Sequence, residues 1–174
     1  SGAIRDRAQG VGGEFLVGDT SLFGGGGLAV TNFRDLDSTA TTISATAGAE
    51  LAVEGDNRIS LCPIARLGVT AGPDVGPVDV STVRLEAGGQ LGVVAHDASS
   101  LMIVPTFGLA AARQRITATR FGVDRKTWDT FGIANLGVGF IFNRRVGITP
   151  SVVIPFSSPG SDAIFVLTFA FNLG

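Results

Sequence analysis

The chain has 174 residues, of which 45% are hydrophobic and only 16% charged, with 25 Gly, 12 Phe, one Trp and no Tyr. A net charge of −2 and a pI near 5.3 leave no basic footprint for nucleic acid, and no apolar run reaches the roughly 20 residues of a membrane-spanning helix. The single cysteine, Cys62, has no partner for an intramolecular disulfide and completes no cysteine-rich metal motif.

In chain order, residues 1–20 read as an N-terminal arm. Its piece VGGEFLVGDTS (11–21) is a candidate plug, or a strand that adds to a neighbouring molecule. From residue 21 to 174 helical periodicity is absent and period-two alternation recurs, because successive strand side chains point to opposite faces. In TISATAGAELAV, Ile43, Ala45, Ala47, Ala49, Leu51 and Val53 share one face. In RISLCPIARLGVT, Ile59, Leu61, Pro63, Ala65, Leu67 and Val69 do the same. The alternation predicts eight strands, near 21–33, 41–53, 58–70, 80–95, 101–114, 129–142, 146–156 and 163–173. EGDNR, HDASS and NRR make short turns, whereas 34–40, 70–79, 115–128 and 157–162 make longer loops.

Register across the turns pairs greasy faces: Leu91 with Pro105 across HDASS, and Phe142 with Val146 and Phe140 with Ile148 across NRR. Prolines 63, 105, 150 and 155 fall inside strands and predict bulges or hydrogen-bond gaps. In FGIANLGVGF the large residues change parity, which predicts a bulge near Ala134–Asn135. The fold class is therefore all-β, an antiparallel up-and-down, eight-stranded closed barrel.

The terminal strand IFVLTFAFNLG decides which face is outside. Phe165, Leu167, Phe169 and Phe171 form a large apolar face, and Val166, Thr168, Ala170 and Asn172 a small one. The same contrast holds along the chain. The second face is mostly Gly, Ala, Ser and Thr, which suits a narrow barrel interior better than a solvent face. Glu50, Arg66, Arg84 and Glu86 are expected inside as a polar, charge-paired network. Phe107, Phe140, Phe142, Phe156, Phe165, Phe169 and Phe171 are expected outside, against lipid or other subunits, with Phe131 among the aromatics near the loop rim.

The alternating segments, the short-turn and long-loop pattern and the terminal strand resemble the small eight-stranded outer-membrane β-barrels of Gram-negative bacteria, the opacity-type and OmpX-like group. That resemblance implies a transmembrane barrel in the bacterial outer membrane, with periplasmic termini and surface-exposed loops 34–40, 70–79, 115–128 and 157–162. The sequence departs from the group in its missing tyrosines and its non-aromatic last residue.

Candidate chemistry is sparse. His96, Asp97 and Ser99 in HDASS invite a triad reading, but adjacent turn residues rarely aim at one another. GGGG at 24–27 lacks the Lys-Ser/Thr of a phosphate loop and reads as small residues making room for a neighbour. GPDVGPVD (72–79) matches no calcium loop spacing, and RFGVDRK (120–126) is a mixed-charge surface segment suited to partner contact. No catalytic, cofactor or metal residues are assigned. The expected function is non-enzymatic: structure, adhesion or surface interaction, with the lipid bilayer as partner and no nucleic acid. Two alternatives stand beside it, an extracellular self-assembling barrel subunit using residues 11–21, and a soluble lipocalin-like barrel holding an apolar ligand.

Overall fold

A computed structural model describes residues 8–18, 22–33, 37–52, 59–72, 77–98, 100–156 and 163–172. The elements are β1 (Ala8–Gly18), β2 (Leu22–Phe33), β3 (Ser38–Ala49), β4 (Leu51–Ala52), β5 (Ile59–Ala71), β6 (Val78–Val93), β7 (His96–Asp97), β8 (Leu101–Arg120), β9 (Val123–Phe142), β10 (Val146–Phe156) and β11 (Ile164–Asn172). β4 continues β3 beyond a break at Glu50, and β7 is a two-residue strand beside β8.

The sheet closes on itself through β3–β5 and forms a barrel of nine strands, not eight. The added strand is β1, within the segment assigned from sequence to an arm. Val11, Gly13, Phe15 and Val17 alternate with Gly12, Glu14 and Leu16, so this segment carries the same two-faced pattern as the rest of the wall. An odd number of alternating strands leaves the first and last pointing the same way. β1 accordingly pairs antiparallel with β2 but parallel with β11, in register from Gly10↔Ile164 to Gly18↔Asn172. The barrel is thus mixed, with one parallel seam. Both edges of β1 are taken within the chain. The seam also sets Ala8 at the loop rim and Asn172 at the turn rim, instead of placing both ends on one side.

The large face points outward. Leu28, Ile43, Leu67, Leu85, Phe107, Leu109, Leu136, Phe165 and Phe169 are all exposed on the outer wall. Phe142 and Phe156 are also exposed there, Phe140 is half-buried on the same face, and Phe171 stacks on Phe15 with ring centroids 5.0 Å apart. No charged residue interrupts the outer stretches 83–93, 103–111, 130–142 or 146–156 at outward positions.

Proline acts mainly by removing bonds. The β3–β5 ladder lapses opposite Pro63, and the β9–β10 ladder omits Thr149 and Pro150, yet register is unchanged on either side of each gap. The one shift lies elsewhere: β6 pairs Gly92 with Thr106, and His96 then pairs with Ile103, so the strand takes an extra residue opposite Pro105 and Val104. Leu91 consequently faces Phe107, not Pro105. β8–β9 runs without interruption from Leu101↔Phe142 to Arg120↔Val123, so there is no bulge at Ala134–Asn135. Phe131 and Ile133 point inward with Asn135, Gly137 and Gly139, because Ala112 and Ala110 opposite them leave space for large side chains inside. Residues 115–128 are not a loop. Ile116, Thr117, Thr119, Val123, Thr127 and Trp128 favour strand, and the ribbon reverses in a two-residue turn with positive φ at Phe121 (51°) and Gly122 (76°).

Candidate functional site

Across the middle of the barrel runs a septum of two unlike halves. The ionic half is built from β1, β3, β5, β6 and β11. The Arg66 guanidinium donates through Nη2 to both oxygens of Glu14, at 2.9 and 2.8 Å, through Nη1 to Glu86 Oε2 at 3.4 Å, and through Nε to Thr46 Oγ1 at 3.1 Å. The Thr46 hydroxyl in turn donates a hydrogen bond to Glu14 Oε1, and Thr168 donates to the same carboxylate at 3.5 Å. Arg84 Nε pairs with Glu86 Oε1 at 2.7 Å. Glu14 and Glu86 are buried, at 7% and 6% exposure, yet two carboxylates face two guanidiniums and the oxygens are hydrogen-bonded. That is the condition under which buried charge is tolerated.

Space for this cluster comes from the glycine run. Gly27 is the register partner of Glu14, and a Cβ there would lie 2.9 Å from Ser44 Oγ. Gly25, the next inward position, has β1 backbone where a Cβ would go. The run therefore lets β1 approach closely with its glutamate turned in.

The apolar half is supplied by β8, β9 and β10: Ala112, Phe131 and Ile133 are buried, with Ala110 and Val153 packed against them. The halves meet where Glu86 pairs in register with Ala112. Below the septum, on the turn side, a cavity of about 1310 Å³ is lined by Leu16, Ile64, Met102, Val104, Ile141 and Thr149 among others. Its wall begins at the level of Glu14, Arg66, Glu86 and Ile133. The inward residues Thr42, Thr70 and Thr82 on the loop side do not reach it. Among the described residues the lumen is a cup with a charged floor that extends to Asp97, Arg144 and Arg145 at the turn rim.

Of the residues expected inside from sequence, Arg66, Arg84 and Glu86 come together, whereas Glu50 stands apart on the cup wall in the β3–β4 break, near Cys62. Its place in the network is held by Glu14, which sequence reasoning missed. The signal was the VGGEFLV alternation with a lone carboxylate on the small face. Phe131 belongs inside the barrel, not in a rim of outward aromatics, because its parity matches Asn135 and Gly137. At the turn rim Asp97 engages Arg144, at 3.4 and 3.5 Å, instead of orienting His96. Ser99 lies outside the described residues, as do 34–36, 73–76 and the whole of loop 157–162, so loops 34–40 and 70–79 are described only in part; of the 72–79 segment, Asp79 is described and lies within β6.

A second cluster lies on the outer wall. Arg113 and Arg115 on β8 place their guanidiniums 4.8 and 5.9 Å from the Trp128 ring centroid on β9. With Val83 and Leu85 of β6 they enclose a groove of about 420 Å³.

Taken together, these features define the class as a closed nine-stranded β-barrel with an apolar exterior and a polar, partitioned interior. No family model, curated protein or solved structure matches the chain.

Proposed function

We propose that the chain is a lipid-embedded, non-enzymatic β-barrel of the Gram-negative outer membrane, with a structural or surface-interaction role exercised at its loop rim and through the β8–β9 ribbon. The observation that carries this reading is the exterior: Leu28, Ile43, Leu67, Leu109, Phe107, Leu136 and Phe165 stand at 45–65% exposure around the wall with no outward charge among them. Water would leave that surface as a large unpaid hydrophobic patch, while hydrocarbon accepts it. Closure of the sheet supports the same reading, since a barrel satisfies its backbone hydrogen bonds without solvent. The septum argues against a role in conduction, because side chains from both halves fill the lumen at mid-height.

The test is flotation of the full chain, refolded from denaturant in the presence of phosphatidylcholine vesicles, followed by carbonate washing. Co-flotation that survives carbonate and yields only to detergent is the expected result. A soluble, monodisperse species without detergent would overturn it. A second reading covers the same apolar wall with further copies of the chain. It is favoured by the exposed Val11, Phe15, Phe165 and Phe169 clustered along the β1–β11 seam, and it predicts sedimenting particles in the absence of lipid.

A further inference from the structure

The outer-wall groove between β6, β8 and β9 has a chemistry that the apolar belt alone does not explain. Arg113 and Arg115 occupy successive outward positions of β8, directly across from Leu85 and Val83 on one side, and Trp128 faces Arg115 on the other. Both arginines are exposed, and no carboxylate among the described residues lies within ion-pair distance of either guanidinium. The nearest acidic residues along the ribbon are engaged elsewhere: Asp129 accepts from Gln114, on the opposite face of the ribbon, and Asp124 accepts from Thr119. Two positive charges thus share one indole at the border of the belt. Towards the turn rim, Leu109, Phe107 and Leu136 continue the wall as bare apolar surface. Towards the loop rim, Lys126 and Asp79 begin the polar surface.

We infer that this groove is a binding site for the phosphate of an anionic membrane lipid, seated from the bilayer with its headgroup between Arg113 and Arg115 and its acyl chains along Val83, Leu85 and Leu109. The inference rests on the lipid-embedded reading above. Guanidinium groups present a planar donor fork that matches phosphate oxygens, and stacking against an indole holds that fork in place at the cost of little further side-chain freedom. Trp sits where a ring must be wet at one edge and apolar at the other, which is the headgroup level. An acidic soluble partner would match the charge but not the apolar wall that continues from the groove. A membrane lipid matches both.

Trp128 is the only tryptophan and the chain has no tyrosine, so intrinsic emission excited at the red edge reports this groove alone. The experiment uses the full chain in phosphatidylcholine vesicles doped with either dibrominated phosphatidylglycerol or dibrominated phosphatidylcholine at equal mole fraction. Brominated chains quench an indole only on close approach. Preferential quenching by the phosphatidylglycerol is expected. That preference should fall about fivefold in R113Q or R115Q, the loss anticipated for removing one basic residue at an anionic surface, and disappear in the double variant. R120Q/R125Q, which removes as much charge further along the ribbon, should leave it unchanged. Equal quenching by both lipids, or an equal loss in R120Q/R125Q, would overturn the site. Co-flotation is measured on the same samples: a chain that floats but shows no preference defeats only the site, whereas a chain that does not float defeats the embedded reading with it. Inorganic phosphate added at the same charge concentration should not abolish the preference. If it does, the groove recognises free phosphate and the lipid assignment fails.

Discussion

At the scale of single residues, Arg66 has the most to lose. Among the described residues its guanidinium is the only cation touching Glu14, and it also serves Glu86, so Arg66→Met strands a carboxylate in the septum while Glu86 keeps Arg84. Removal of one partner from a buried pair is expected to cost about 3–5 kcal/mol, read as a lowered urea midpoint for unfolding from lipid or detergent. Glu14→Gln combined with Arg66→Met keeps the septum neutral and should recover most of that loss. A double variant no more stable than Arg66→Met would show that packing, not charge balance, dominates there. Contrast the rim pair Asp97–Arg144, where both side chains are largely exposed: Asp97→Asn should change the midpoint by less than about 1 kcal/mol. Arg66, Arg84 and Glu86 were legible from parity alone, because each is a charge set on a small-residue face. Glu14 was not, since one alternating segment without a recognisable turn after it does not announce that it belongs to the wall.

At the scale of elements, the β8–β9 ribbon shows how a correct pattern was cut short. Turn-like composition at 120–126 looked like a loop because Arg, Asp and Lys crowd it. Two residues in the left-handed region suffice to reverse the chain, and the flanking Thr and Val keep the strands going. Phenylalanine is a poor occupant of that region. Phe121→Asn should therefore stabilise the ribbon by about 1 kcal/mol, and slower amide exchange at Arg120 and Val123 would record it. No gain would mean that the Arg120 guanidinium, 5.2 Å from the Phe121 ring centroid, offsets the backbone cost. The parity change at Phe131 misled for a different reason. The large residues of this strand all read as outward, but opposite Ala110 and Ala112 the interior needs volume, and size alone cannot tell a wall from a filler. Prolines were read more successfully, though not all of them: the ladder gaps at Pro63 and Thr149–Pro150 follow from the missing N–H, whereas Pro155 pairs with Ile133 in an unbroken ladder.

At the scale of the whole molecule, the question is what the outer wall touches. Leu136 is half-exposed at the middle of the outward stretch of β9. In hydrocarbon, Leu136→Arg is expected to cost about 2–4 kcal/mol; on a wetted surface the same change stays within about 0.5 kcal/mol. Unfolding titrations of the two proteins in vesicles separate these outcomes, and a near-zero difference would remove the lipid-facing assignment. Closed barrel, apolar outside and polar inside were all readable from alternation. The strand number was not, because closure is a property of the first and last strands together, and neither carries it alone.

The parallel β1–β11 seam has one more consequence. In a barrel with an even number of strands the chain goes in and comes out through the same door. Here it goes in by one door and leaves by the other: whatever precedes Ala8 departs from the loop rim, and whatever follows Asn172 departs from the turn rim. Set in a sealed membrane, such a barrel is a feedthrough, a wall fitting with a lead on either side. Tags joined to its two ends should fall to protease from opposite faces of the vesicle.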